Sequence, residues 1–161
     1  MKRQVTRCAL LVLFMSISAI ALAEESSHSE HGEAEHHKNR VAGFIGITDE
    51  DRRERALTLG VDYSRRLSPS FSIGVGIERA AGDLDFTVVA VPVLYHLREW
   101  TFFAGPGWEY ADDDSATETL VRAGLEYGFE MDGYEIAPVF MMDFIDGEVV
   151  LIAGVAIALV F

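Results

Sequence analysis

Apolar residues fall on every second position through much of the chain. In ERALTLGVDYSRR (54–66) Leu57, Leu59, Val61 and Tyr63 alternate with polar or small residues, and in SFSIGVGIER (70–79) Phe71, Ile73, Val75 and Ile77 do the same. Leu67, Ser68 and Pro69 supply a turn between the two runs. A period of two is that of a strand whose faces meet different surroundings. Followed along the chain, it predicts strands near 40–48, 54–66, 70–80, 84–96, 99–110, 117–129, 134–144 and 148–161, joined by turn-rich pieces such as AAGD, ADDDSA, MDG and DG. These strands have about the 9–11 residues that cross a hydrocarbon layer at a tilt.

Alternation does not say which face points inward, because a soluble barrel also alternates, with its apolar face inside. The glycines discriminate. Gly60, Gly74, Gly76, Gly105, Gly107, Gly124, Gly128 and Gly154 all lie opposite the large apolar residues. An eight-stranded barrel has an interior barely wide enough for side chains, so small residues belong inside. The expected fold is therefore all-β, an eight-stranded antiparallel up-and-down transmembrane barrel with its large apolar face toward lipid. Aromatic positions fit this orientation, since lipid-facing barrels carry a girdle at each interface. Tyr63, Phe71, Trp100, Tyr127, Phe129, Tyr134 and Phe161 are expected at the end holding both termini, and Phe86, Trp108, Tyr110 and Phe144 at the other. Three prolines sit inside expected strands, where each removes a ladder donor: Pro92, Pro106 and Pro138. The glycines around Pro106 in AGPGW point to a bulge. Strand 84–96 is apolar on both faces, and the register of strand 40–48 is open.

The chain closes on GVAIALVF, with Val155, Ile157, Leu159 and Phe161 on one face. With these strands, residues 40–161 resemble the small outer-membrane β-barrel proteins of Gram-negative bacteria, similar to the OmpA transmembrane domain and its eight-stranded relatives. The resemblance implies that Phe161 and the alternating residues before it are the signal read by the barrel assembly machinery, and that outer-membrane lipid and lipopolysaccharide surround a monomeric barrel. It implies an architecture and a compartment rather than an activity. The rival from another class is a soluble periplasmic barrel holding an apolar ligand.

The first 23 residues do not belong to the barrel. Lys2, Arg3 and Arg7 precede an apolar run from Cys8 to about Ile20, and Ala21 and Ala23 flank Leu22, the pattern of a cleaved signal peptide. That run is shorter than the roughly 20 residues of a spanning helix. Cleavage removes Cys8, the only cysteine, so the mature chain forms no disulfide. It also leaves 10 of the 13 basic residues against 26 acidic ones, a formal charge of −16 that excludes a nucleic-acid partner. Residues 24–39 form a polar leader too poor in apolar surface to fold alone. There His28, His31, His36 and His37 stand among Glu25, Glu30, Glu33 and Glu35. Imidazole and carboxylate suit zinc, copper or nickel, so the leader is a candidate divalent-metal buffer, although its spacing matches no structural zinc pattern. Protonation of its histidines is a second way for it to act, and a solvated spacer a third.

Charges remain on the inward face: Asp62, Glu78, Glu109, Arg122, Glu126, and with them Arg55 and Asp143. An isolated ion inside a narrow barrel is costly, so they should pair, with Arg122 bridging Glu78 and Glu109 as a structural plug. The other readings of this cluster are an ion path or a gate. Catalysis has little support. His96 is the only histidine beyond the leader, and VLYHLREW offers it no serine. Two further readings remain in view: Pro92 and Pro106 as a weakened seam admitting a lipid tail, and Asp112, Asp113 and Asp114 as a loop site for a divalent cation.

Overall fold

The computed structural model describes residues 38–50, 54–82, 84–111 and 117–161. The expected signal peptide, the four leader histidines and Asp112–Asp114 lie outside them. Ten strand segments follow one another: β1 (Asn39–Glu50), β2 (Glu54–Ser68), β3 (Phe71–Gly82), β4 (Phe86–Ala90), β5 (Val93–Leu97), β6 (Trp100–Ala111), β7 (Thr117–Tyr127), β8 (Phe129–Met131), β9 (Tyr134–Ile145) and β10 (Glu148–Val160). Each pairs antiparallel with its sequence neighbour, β4 and β5 together filling one strand position and β7 and β8 another. β10 returns to β1, from Arg40 opposite Val160 to Asp49 opposite Leu151, which closes an eight-stranded barrel. Closure leaves no sheet edge exposed.

The two interruptions trace to proline. β4 and β5 part at Val91 and Pro92, yet the register on β3 is the same on both sides, with Gly76 opposite Ala90 and Ile73 opposite Val93. The Gly74 amide still donates to the Pro92 carbonyl at 2.9 Å, and the Val91 amide to the Pro106 carbonyl at 2.9 Å. On the β6 side Ala90 faces Gly107 and Val93 faces Ala104, again with no slip. The bulge expected at Pro106 is therefore absent: the ladder drops the bond that proline has no donor for and continues. Pro138 of β9 stands beside the break at Gly128 in the same way, between the pairs Glu126–Val139 and Phe129–Ile136. The β2–β3 pairing does shift register, between Arg66 and Ser68.

Outward positions carry Val41, Ile45 and Ile47 on β1, Leu57, Leu59 and Val61 on β2, Ile73, Val75 and Ile77 on β3, and Val155, Ile157 and Leu159 on β10, all exposed. Inward positions are buried, and this fixes the register of β1, where Ala42, Phe44 and Thr48 point in. Phe44 also explains two glycines. A Cβ at Gly46 would meet its Cε1 at 2.9 Å and one at Gly154 its Cε2 at 2.7 Å, so its ring lies across the paired Gly46 and Gly154. The glycines thus make room for aromatics inside the barrel rather than merely narrowing it.

The tyrosines and tryptophans of the expected girdles are outward. At the end holding the termini, Trp100 and Phe129 pack on Tyr127 with ring centroids 4.9 Å apart in each case, and Phe71 packs on Tyr95 at 5.2 Å. Phe86 is a correction. Its neighbours Thr87 and Val89 take the outward positions, and Phe86 is buried inside with Val88 and Ala90. A strand apolar on both faces had no polar residue to mark its phase.

Candidate functional site: the charged interior

The interior is layered. Toward the loop end, away from the termini, Leu84, Phe86, Val88, Leu120, Ile145, Val150 and Ile152 form a buried apolar layer. Beside it the hydroxyls of Thr48 and Thr58 satisfy each other at 2.5 Å. Toward the termini the lining becomes charged, in two networks.

Arg122 centres the first. It is directly opposite Asp143 in the β7–β9 ladder, so both side chains enter the lumen at one height. Its Nε and Nη2 donate to the two Asp143 oxygens at 2.7 Å each, and its Nη1 donates across the lumen to Glu78 Oε1 at 2.6 Å. Arg122 is 4% exposed and Asp143 1%. This is the forked geometry in which a guanidinium matches a carboxylate best. Arg122 reaches Glu78 but spends its other donors on Asp143, not on Glu109. Glu109 lies opposite Val88 and Glu118, four residues along β6 from the Gly105 that faces Arg122.

The second network centres on Arg40. Its Nη1 donates to Asp62 at 3.1 Å, its Nη2 to Glu126 at 3.3 Å and to Glu135 at 3.1 Å, and its Nε to Glu135 at 3.2 Å. Three carboxylates share one guanidinium. Asp62 and Glu126 were legible from the sequence; Arg40 and Glu135 were not, because Arg40 belongs to the strand whose register was open. The signal that finds it is the excess of inward carboxylates at that end, which demands a cation. A cavity of about 70 Å³ lies between the networks, bordered by Arg40, Asp62, Glu78, Arg122 and Glu126 together with Gly74, Gly76, Pro92 and Phe103. At ~10–15 Å³ per water it has room for roughly five. Among the described residues no buried side-chain polar atom lacks a hydrogen-bond partner. Arg55 is not in the lumen: it is exposed at the loop end and donates to Asp49 at 3.0 Å.

At the terminal end His96 has the serine its sequence neighbours lack. Ser72 Oγ, one strand away, is 2.7 Å from Nε2, and Thr101 Oγ1 is 3.0 Å from Nδ1. A hydroxyl–imidazole–hydroxyl chain satisfies a half-buried ring; for nucleophilic chemistry it lacks an acidic orienter, and Ser72 is 3% exposed. Among the described residues no group of three or more His, Cys, Asp or Glu is arranged to hold a metal. Of the closing residues, Val155, Ile157, Leu159 and Phe161 all lie exposed on the outer face. Phe161 and Asn39 exchange both backbone hydrogen bonds at 2.9 Å, so the last residue forms the final rung of the seam.

An apolar exterior around an interior that carries buried ion pairs inverts the soluble pattern and is the arrangement of a barrel set in hydrocarbon. The fold is that of the small transmembrane β-barrels. The N-terminal β-barrel domain of Pseudomonas aeruginosa OprF superposes with a TM-score of 0.62 at 12% identity, over 78% of this chain and 98% of that one. A de novo designed transmembrane β-barrel matches with a TM-score of 0.53 at 15% identity, over 74% and 95%. The Yersinia pestis outer-membrane protein Ail, in a phospholipid bilayer nanodisc, matches with 0.50 at 13%, over 77% and 99%. No protein-family model and no curated protein matches the sequence. At these identities the likeness is one of fold.

Proposed function

We propose that the mature chain is an integral outer-membrane barrel of Gram-negative type, non-catalytic, with a structural or surface-interaction role, whose lumen is plugged rather than open. The observation that carries this is the continuous collar of large exposed apolar side chains around a closed ladder. Burying that collar in water-free hydrocarbon is favourable at ~25 cal/mol per Å², whereas exposing it to the periplasm has no counterpart in a monomeric soluble barrel. The plug follows from the apolar layer and from Arg122, which ties β7, β9 and β3 together across the bore.

The connections refine the role. At the loop end they span residues 51–53, 83–85, 112–116 and 146–147, none longer than five residues. Outer-membrane barrels that bind partners through loops ordinarily carry longer ones there. The soluble alternative fares poorly: a cavity of about 70 Å³ is far below the ~300–1,000 Å³ of small-molecule pockets. The closing residues Val155, Ile157, Leu159 and Phe161 act here as the assembly signal, so removal of Phe161 should lower outer-membrane yield. Fractionation followed by electrophoresis of boiled and unboiled samples tests the reading. Recovery in the outer membrane with a heat-dependent shift in mobility supports it; recovery in the soluble periplasm with no shift overturns it.

A further inference from the structure

Two cations at the terminal mouth stand apart from both charge networks. The Arg66 amide donates to the Lys38 carbonyl at 2.8 Å, and the β1–β2 ladder pairs Asn39 with Arg65 one step on. Lys38 and Arg66 are therefore directly opposite each other. Lys38 precedes the lumenal Arg40 by two residues and Arg66 follows the buried Ser64 by two, so both occupy the inward register. Residues so placed have Cβ atoms about 4.5–5.5 Å apart, and like charges there repel. Lys38 is exposed and Arg66 half-buried, and among the described residues neither side chain makes a hydrogen bond or an ion pair. Nothing adjacent offsets the repulsion. On its other side Arg66 faces Ser72, whose hydroxyl is tied to His96, and His96 in turn to Thr101, so that flank brings no negative charge. The next carboxylate inward along β2 is Asp62, and it is bonded to Arg40. The cations are not left over for want of acids, since the chain has 26 acidic residues against 13 basic ones.

We propose that Lys38 and Arg66 form a binding site, at the terminal mouth of the lumen, for phosphate or for the phosphate group of a water-soluble phosphomonoester. A dianion suits two adjacent cations, the guanidinium offering a fork and the ammonium a point charge. Its arrival converts a repulsive cross-strand pair into two attractive contacts without displacing any partner. The inward register turns both cations away from the outer face, so the ligand comes from water rather than from surrounding lipid. Their placement follows from the ladder alone and holds whether the outer face meets hydrocarbon or solvent.

The test titrates inorganic phosphate into the full mature protein in a nonionic detergent free of phospholipid, against chloride at matched ionic strength. Binding is read from broadening of the phosphorus resonance and from the urea midpoint of unfolding. Wild type should bind with a dissociation constant on the order of 1 mM, and saturating phosphate should raise its midpoint. Arg66→Gln and Lys38→Gln should each weaken binding about ten-fold. Without phosphate, both should unfold at the same urea concentration as wild type or a higher one, because the repulsion is gone. Those opposite signs separate a ligand site from damage to the barrel. Arg98→Gln removes an exposed cation from the adjoining turn and should bind as wild type does. No binding beyond chloride in wild type, or the same affinity in Arg66→Gln, Lys38→Gln and Arg98→Gln, overturns the site. Binding that appears only when phosphatidylglycerol is added assigns the cations to a lipid headgroup and overturns it too. Each of these results leaves the barrel reading intact, because unboiled mobility reports folding independently.

Discussion

The two arginines of the lumen do the same electrostatic task in different ways. Arg122 is 4% exposed, makes its ion-pair contacts at 2.6–2.7 Å, and has a partner opposite it in the ladder. Arg40 is 12% exposed and reaches its three carboxylates at 3.1–3.3 Å, nearer the terminal mouth. Forked geometry makes each contact of Arg122 short but leaves nothing to compensate if one partner goes. A looser cluster of three carboxylates around Arg40 keeps alternatives. The difference teaches where rigidity resides: in the middle layer, where β3, β7 and β9 are cross-tied, rather than at the mouth.

The largest expected effect follows from breaking the forked network. Arg122→Ala strands Asp143 and Glu78 in the interior and should cost about 3–5 kcal/mol, read by reversible urea unfolding of the barrel in lipid vesicles. Arg40→Ala strands three carboxylates, but Asp62 and Glu135 are 34% and 21% exposed, and about 1–3 kcal/mol is expected in the same assay. Equal losses would erase the distinction between the layers. The smallest effect belongs to Arg55, whose bond to Asp49 stands in solvent with the arginine 72% exposed. Arg55→Ala should cost no more than ~0.5 kcal/mol. A loss there comparable to that of Arg40→Ala would mean that burial does not order these pairs.

How far the sequence carried the reading depended on whether a strand's two faces differ. β2, β3, β6, β7 and β10 set large residues against small or polar ones, so their phase and the inward place of Asp62, Glu78 and Arg122 were legible from a period of two. β1 has glycine on both faces, Gly43 outward and Gly46 inward, and large residues on both, Phe44 inward and Ile45 outward. Its phase was set only by pairing with β10, and Arg40 was hidden with it. β4 hid Phe86 for the related reason that both its faces are apolar. Ser72 and His96 lie 24 residues apart and meet only through the β3–β5 register, which no local motif records. The prolines misled differently: a missing donor was expected to force a bulge, whereas a closed barrel holds its register through the gap because the strands on either side are already fixed.

The central claim is that the outward register faces hydrocarbon, and it is tested most directly by measuring the surroundings of that register position by position. Cys8 lies in the expected signal segment and is the only cysteine, so single-cysteine variants of the mature chain take one spin label each. Labels at successive positions from Ile73 to Ile77, in reconstituted vesicles, are compared for collision with molecular oxygen, which concentrates in lipid, and with a water-soluble nickel chelate. The account predicts a period of two, with Ile73, Val75 and Ile77 favouring oxygen and Gly74 and Gly76 shielded from both reagents. Nickel access at Ile73, Val75 and Ile77 equal to that of a label in the aqueous turn at Asp132 would contradict it.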